Sequence, residues 1–178
     1  MSSQNKILLI AVALVAFIIG TAMNTLSTKS VGQSFEIDEL LNAKLLTSSD
    51  LEQTTEQHLK EVNLINFWAS WCGPCRREMP LFEAVFKQHA SNGFQIIGIA
   101  IDSPDKAQPM LDSMGITYPI LYAEQTGIKL MELSGNETGA MPYSILVDKQ
   151  GRVIDHKLGE IHEPQLTAWA QGKAYEAN

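Results

Sequence analysis

The 178-residue chain carries 20 Asp and Glu against 13 Lys and Arg, a formal net charge of -7, with 45% hydrophobic and 19% charged residues. No basic cluster larger than Arg76-Arg77 interrupts this acidic balance, which argues against a nucleic-acid partner and against an anionic membrane surface. The length suits one ordinary domain plus a tail, and nothing is repetitive or of low complexity.

Residues 7–20 form an uncharged, almost wholly apolar run, preceded by Lys6 and followed by the polar, small-residue stretch 21–34. This reads as an export or anchor segment. Counted through Met23 the run has 17 residues, at the short end of the ~17 to 25 that span a bilayer. A single-pass anchor is expected, and a removable signal peptide is the alternative, because Gly20 and Ala22 supply small residues before a cleavage site. Thr21 follows Gly20, so no cysteine is available there for lipid modification. With Lys6 held on the cytoplasmic side, either version delivers the rest of the chain across the membrane into an oxidising compartment. The expected organisation is an anchor or signal at 1–26, a linker at 27–34 and one domain at 35–178.

The start of that domain is hard to assign: short apolar runs at Leu40-Leu41 and Leu45-Leu46 suggest a short hairpin or strand, followed by a helix over 49–58. From Val62 the pattern becomes regular. A strand at 62–68 feeds a helix at 74–90, whose apolar spacing is Met79, Phe82, Val85, Phe86 and whose end is marked by Asn92-Gly93. Residues 95–101 read as a buried parallel strand. Ser103-Pro104-Asp105 opens a helix that runs to Met114 and stops at Gly115. A short strand at 120–122 and a helical stretch at 127–133 follow. Strands at 143–148 and 153–158 flank Lys149-Gln150-Gly151-Arg152 as a hairpin. A last helix carries Pro164 near its start, Leu166, Trp169 and Ala170 on its apolar face, and Gly172 at its end. Strands joined by helices imply an α/β fold with a central mixed sheet flanked by helices, and the closing hairpin adds an antiparallel edge.

The only two cysteines, Cys72 and Cys75, lie three positions apart where the strand at 62–68 hands over to a helix. Two thiols so spaced form a two-electron redox couple. The free amides of a helix N-terminus stabilise a thiolate and lower a cysteine pKa from ~8.5 to within ~3.5 to 7.5. Cys72, nearest solvent, is the expected nucleophile. Cys75, one turn further in, resolves the mixed disulfide that Cys72 forms. Gly73 lets the backbone bend, and Pro74, lacking an amide hydrogen, suits a first helical turn. Three other chemistries fit the pair less well. A zinc half-site lacks a second cysteine pair, and His58, His89, His156 and His162 have no finger-like spacing, so no metal and no cofactor beyond the redox-active disulfide is expected. A structural disulfide closing so short a loop is a poor staple. A Cys-His hydrolase would have its nucleophile captured by the neighbouring thiol. No dinucleotide fingerprint is present, so electrons for a reductase must come from a partner.

The string Phe67-Trp68-Ala69-Ser70-Trp71-Cys72-Gly73-Pro74-Cys75, with this order of elements, resembles the thioredoxin superfamily, and more closely its exported TlpA-like and ResA-like thiol-disulfide oxidoreductases. The resemblance covers residues 59–172. It implies a thioredoxin fold and a cis bond at Met141-Pro142, in a loop that faces the cysteine pair and docks the substrate backbone. Trp71, Gly73, Pro74, Met141 and Pro142 are therefore the expected substrate-binding residues. Trp68 is expected in the core. Asn66 stands where cytoplasmic thioredoxin carries a buried aspartate. Glu78 matches a glutamate typical of the exported branch and is expected to take the proton of Cys75, its alternative being a solvent-facing helix carboxylate. Arg76 and Arg77 either form a solvated face or help hold Cys72 as a thiolate, and Pro80 should kink its helix.

The resemblance implies reduction of disulfides in exported client proteins on the periplasmic side of a bacterial inner membrane, with a membrane thiol reductase as electron donor. Clients in relatives include apocytochrome cysteines, which points to cytochrome c biogenesis, and copper-site proteins. A net oxidant of the DsbA type is the alternative within the same chemistry, although Gly73-Pro74 favours a reductant. A binding or chaperone module with a permanently closed disulfide is the alternative from another class.

Overall fold

The computed structural model describes residues 37–175. The expected anchor or signal (1–26) and linker (27–34) lie outside those residues. Among the described residues no helix is long and apolar enough to cross a membrane.

The elements in order are α1 (Ile37–Asn42), β1 (Leu45–Leu46), β2 (Glu52–Gln53), β3 (Val62–Trp68), α2 (Gly73–His89), β4 (Phe94–Ala100), α3 (Pro104–Met114), β5 (Ile120–Tyr122), α4 (Thr126–Leu133), β6 (Tyr143–Asp148), β7 (Val153–Leu158) and α5 (Glu163–Ala170). The seven strands form one sheet in the order β2-β1-β5-β4-β3-β6-β7. β3, β4 and β5 run parallel, β6 pairs antiparallel with β3, and both edges are antiparallel pairs. The mixed sheet and every element expected from Val62 onward are present, with ends that differ by no more than a residue or so.

β3 and β4 sit in the middle of the sheet, so they need apolar residues on both faces, which explains their continuous apolar sequence. Alternation then sorts the side chains. Leu64, Trp68, Ile96, Ala100 and Leu146 pack with α2, α3 and α5, and Ile65, Phe67, Ile97, Ile99, Ile145 and Val147 pack with α1 and α4. Gly98 has a steric reason: it pairs with Asn66 on one side and Ile120 on the other, and a Cβ there would stand 2.9 Å from the Trp68 indole nitrogen and 2.6 Å from Ile120. α2 continues through Pro80. Ser103 occupies the position before α3 without a side-chain capping bond, and its carbonyl accepts from the Lys106 and Ala107 amides. In the β6-β7 turn the Asp148 carboxylate accepts from the Gln150 and Arg152 amides, and Gly151 takes the left-handed conformation at φ 76°.

The N-terminal part of the domain departs from expectation. No helix covers 49–58; that stretch holds β2 and a single 3-10 turn at Glu56–His58. The Thr47 hydroxyl accepts from the Ser49 and Leu51 amides, and Thr47 and Leu51 close the β1-β2 hairpin through their backbones. Local side-chain bonding of this kind competes with helix formation. The helix lies earlier, at α1, whose Ile37, Leu40 and Leu41 form one buried stripe.

Candidate active site

After Trp68 the chain turns through Ala69, whose carbonyl accepts from the Cys72 amide at 3.0 Å. Cys72 is extended (φ -81°, ψ 104°) at the N-cap of α2, and its Sγ accepts from the Cys75 amide at 3.3 Å. The sulfur thus takes the place of a capping oxygen and sits on the positive end of the helix. Cys72 and Cys75 are joined by a disulfide, with Cα atoms 5.3 Å apart. Cys72 is 6% exposed and Cys75 is 0% exposed, so only the first of the two cysteines reaches solvent. Trp68 is fully buried, whereas Trp71 beside Cys72 is 69% exposed. Gly73 is exposed and Pro74 half-buried in the first turn of α2.

The Met141-Pro142 peptide bond is cis. Tyr143 pairs with Phe67 at the end of β3, so the preceding Pro142 lies at the carboxyl end of that strand, as Cys72 does. Met141 is half-buried and packs against the apolar cluster that contains both cysteines.

Glu78 is 2% exposed and does not face solvent. Its Oε1 accepts from Asn66 Nδ2 at 3.0 Å and its Oε2 from the Ile161 amide at 2.9 Å. Asn66 Nδ2 also donates to the Ser144 hydroxyl at 2.9 Å, so one amide group ties β6 to α2 through β3. Burial pushes Glu78 up to about 8; the bonds from Ile161 and Asn66 pull the other way, and Glu160 adds to the rise. Glu83, also buried on α2, shows what is missing. Burial raises it too, but the Thr117 hydroxyl and amide and the Lys87 ammonium at 2.9 Å outweigh burial and hold it below the ordinary carboxylate value. Glu78 has no cation at ion-pair distance among the described residues.

Arg76 is exposed. Arg77 is exposed and ion-paired: its guanidinium meets Glu160 at 2.7 Å and lies 3.8 Å from where a Cβ on Gly73 would stand. Sequence reasoning missed Ser144, Glu160 and Ile161. These partners come from more than 60 residues away in sequence, and no local pattern announces them. The described residues contain no group of three or more His, Cys, Asp or Glu able to hold a metal ion.

A disulfide on a helix N-terminus, a cis-proline loop at the same end of the sheet and a buried proton-holding carboxyl form one site able to exchange disulfides. The Redoxin family model matches residues 29–169. The thiol-disulfide oxidoreductase ResA of Bacillus thuringiensis (strain Al Hakam) is 32% identical over 106 residues, 59% of this chain and 59% of that protein. The thiol:disulfide interchange protein HelX of Rhodobacter capsulatus is 39% identical over 108 residues, 60% of this chain and 57% of HelX. The chain therefore spans less than two thirds of the length of these relatives. Among solved structures, the thioredoxin-related protein from Neisseria meningitidis serogroup B superposes with a TM-score of 0.64 at 28% identity, covering 72% of this chain and 96% of that one. The architecture is the thioredoxin fold. Because the family model covers most of its length, the chain belongs to the Redoxin family.

Proposed function

We propose that this protein is a thiol-disulfide oxidoreductase that reduces disulfides of client proteins through Cys72 and Cys75. The observation that carries the reading is the Cys72-Cys75 disulfide at the N-terminus of α2, with Cys72 Sγ on the Cys75 amide and Cys75 sealed beneath it. In the reduced enzyme the Cys72 thiolate attacks one sulfur of a client disulfide, and the other client sulfur leaves as a thiolate that takes a proton from water. Cys75 then attacks Cys72 Sγ, its proton passes to Glu78 in its ionised form, and the second client sulfur leaves as a thiolate that takes a proton from water. The client gains two electrons and the enzyme is left with a disulfide and a protonated Glu78.

The disulfide form and the burial that pushes Glu78 up to about 8 support this reading of the end state. When a donor dithiol returns two electrons by attacking Cys72, the departing Cys75 thiolate recovers the same proton, as microscopic reversibility requires. Trp71, Gly73, Pro74, Met141 and Pro142 line the approach to Cys72 and form the client-docking surface. The apolar run at 7–23 anchors the domain or exports it, so the reaction takes place on the periplasmic side of a bacterial inner membrane. Clients there are exported proteins, cytochrome c precursors among them, and a membrane thiol reductase supplies the electrons.

Insulin reduction coupled to a dithiol donor tests the activity. Cys72→Ser abolishes it, and Cys75→Ser accumulates mixed disulfides with clients; capture on Cys72→Ser instead would overturn the assigned roles. A reduction potential near ~-270 mV supports a reductant, whereas one near ~-120 mV identifies a net oxidant.

A further inference from the structure

The loop after β7 does three things in three consecutive residues. The Gly159 amide donates to the Pro142 carbonyl at 2.8 Å, Glu160 pairs with Arg77 at 2.7 Å, and the Ile161 amide donates to Glu78 Oε2 at 2.9 Å. The loop therefore touches the cis-proline segment, Arg77 on the active-site helix and the buried carboxyl at once. Gly159 takes a positive φ of 94°, and a Cβ there would meet nothing within 4 Å. We infer that Arg77 and Glu160 are a positioning pair: they pin the loop at 159–161 to the active-site helix and thereby set how readily Glu78 holds its proton.

Arg77 and Glu78 are neighbours on α2, and Glu160 and Ile161 are neighbours on the loop, so the exposed ion pair and the buried Ile161-Glu78 bond are two rungs of one ladder. The inner rung cannot keep its register if the outer one slips. Arg77 is 63% exposed and Glu160 24% exposed in their side chains, so the pair adds little stability by itself, and its value lies in where it places charge. The groups that face Glu78 come from several elements: Asn66 from β3, the Ile161 amide and Glu160 from the loop, and Tyr118, a buried phenol before β5 that feels both Glu78 and Glu83. Cys75 lies one turn earlier on α2. Of these Glu160 is the one whose charge is answered by a cation at the surface, so Arg77 can adjust Glu78 without touching it.

This inference rests on the dithiol-exchange reading for its purpose but not for its test. The full-length disulfide form, labelled with ¹³C-glutamate, is titrated by NMR, and the Glu78 signal is assigned by its loss in Glu78→Gln. Arg77→Gln leaves Glu160 unanswered and loosens the Ile161 amide, so the Glu78 midpoint rises by about 0.5 pH unit. Glu160→Gln removes the negative neighbour while its amide oxygen still accepts from Arg77, so the midpoint falls by a similar amount, on the order of 0.5 pH unit. Opposite shifts support the pair as a charge-setting device. Equal shifts in one direction, as simple loosening of the loop would give, or no shift in either variant, overturn it. A protein that fails to reduce insulin would defeat the proposed function while leaving these midpoints readable.

Discussion

The two faces of the sheet are built from the same strands to opposite rules. On the face covered by α1 and α4, Ile65, Phe67, Ile97, Ile99, Ile145 and Val147 meet Ile37, Leu40, Leu41, Leu130 and Met131. The Tyr143 hydroxyl on that face is satisfied by the Ser134 carbonyl at 2.7 Å. On the face covered by α2, α3 and α5, the core has a polar seam: Ser144, Asn66 and Glu78 run from β6 through β3 to α2. Asn66 sits between Ile65 and Phe67, so one residue step along β3 separates the two regimes. Area burial explains the first face. It does not explain the second, because burying a carboxyl without a cation disfavours folding. A buried group that weakens the fold one turn after Cys75 on the helix that carries the disulfide is best understood through chemistry.

The sharpest way to break that division is to damage the apolar face and look for an effect on the polar one. Phe67 is fully buried and stacks on Tyr143 with ring centroids 6.2 Å apart. Phe67→Ala is expected to cost about 3 to 5 kcal/mol in urea denaturation, while the pH dependence of the remaining folded protein stays as in wild type. If the Glu78 midpoint moved with it, the faces would not be independent.

Glu78→Gln comes next in size and has a signed pH dependence. The folded-state value of about 8 lies above the ordinary 4.5, so the folded protein binds the proton more tightly than the unfolded chain. Below the unfolded value both states are protonated and nothing is lost. As pH rises toward 8 the unfolded chain ionises first, and wild-type stability falls at up to about 1.4 kcal/mol per pH unit. Glutamine cannot ionise, but it turns one donor toward a donor, Asn66 Nδ2 or the Ile161 amide. The variant is therefore expected to be less stable than wild type near pH 5 and to gain on it steadily toward pH 8, as read by urea denaturation at three pH values. Parallel curves would mean that Glu78 is not held protonated by the fold.

Most of this architecture was legible in the sequence because its signals are local. The continuous apolar runs of β3 and β4, the Pro104 start and Gly115 stop of α3, and the Cys72-to-Cys75 spacing each lie within a few residues. The misplaced helix at 49–58 shows the limit: Thr47 side-chain bonding shapes the start of that segment, and helical periodicity cannot weigh it. α1 was visible in the spacing of Ile37, Leu40 and Leu41, but six residues give a weak pattern. At the site, the cysteines were marked by type and spacing, and Glu78 by the resemblance to the exported branch. The groups that give Glu78 its character were not, since the Ile161 amide reaches it only when the loop after β7 closes over α2, and Ser144 meets Asn66 only when β6 pairs with β3.

The smallest expected effect separates the two faces most finely, because it compares adjacent residues of one strand. Ser144 and Ile145 are both fully buried on β6 and point to opposite faces. Ser144→Ala removes one acceptor of Asn66 and should cost about 1 kcal/mol; Ile145→Val removes one methylene and should cost about 0.5 to 1.5 kcal/mol. Matched in stability, the two variants should differ in titration. Without the Ser144 oxygen, Asn66 Nδ2 is held less firmly toward Glu78 Oε1, the carboxylate is less well stabilised, and the Glu78 midpoint rises. Ile145→Val leaves it where it is. If both variants moved the midpoint equally, the seam would be responding to general loosening of the core, and the Ser144-Asn66-Glu78 chain would lose its standing as the device that prepares the carboxyl.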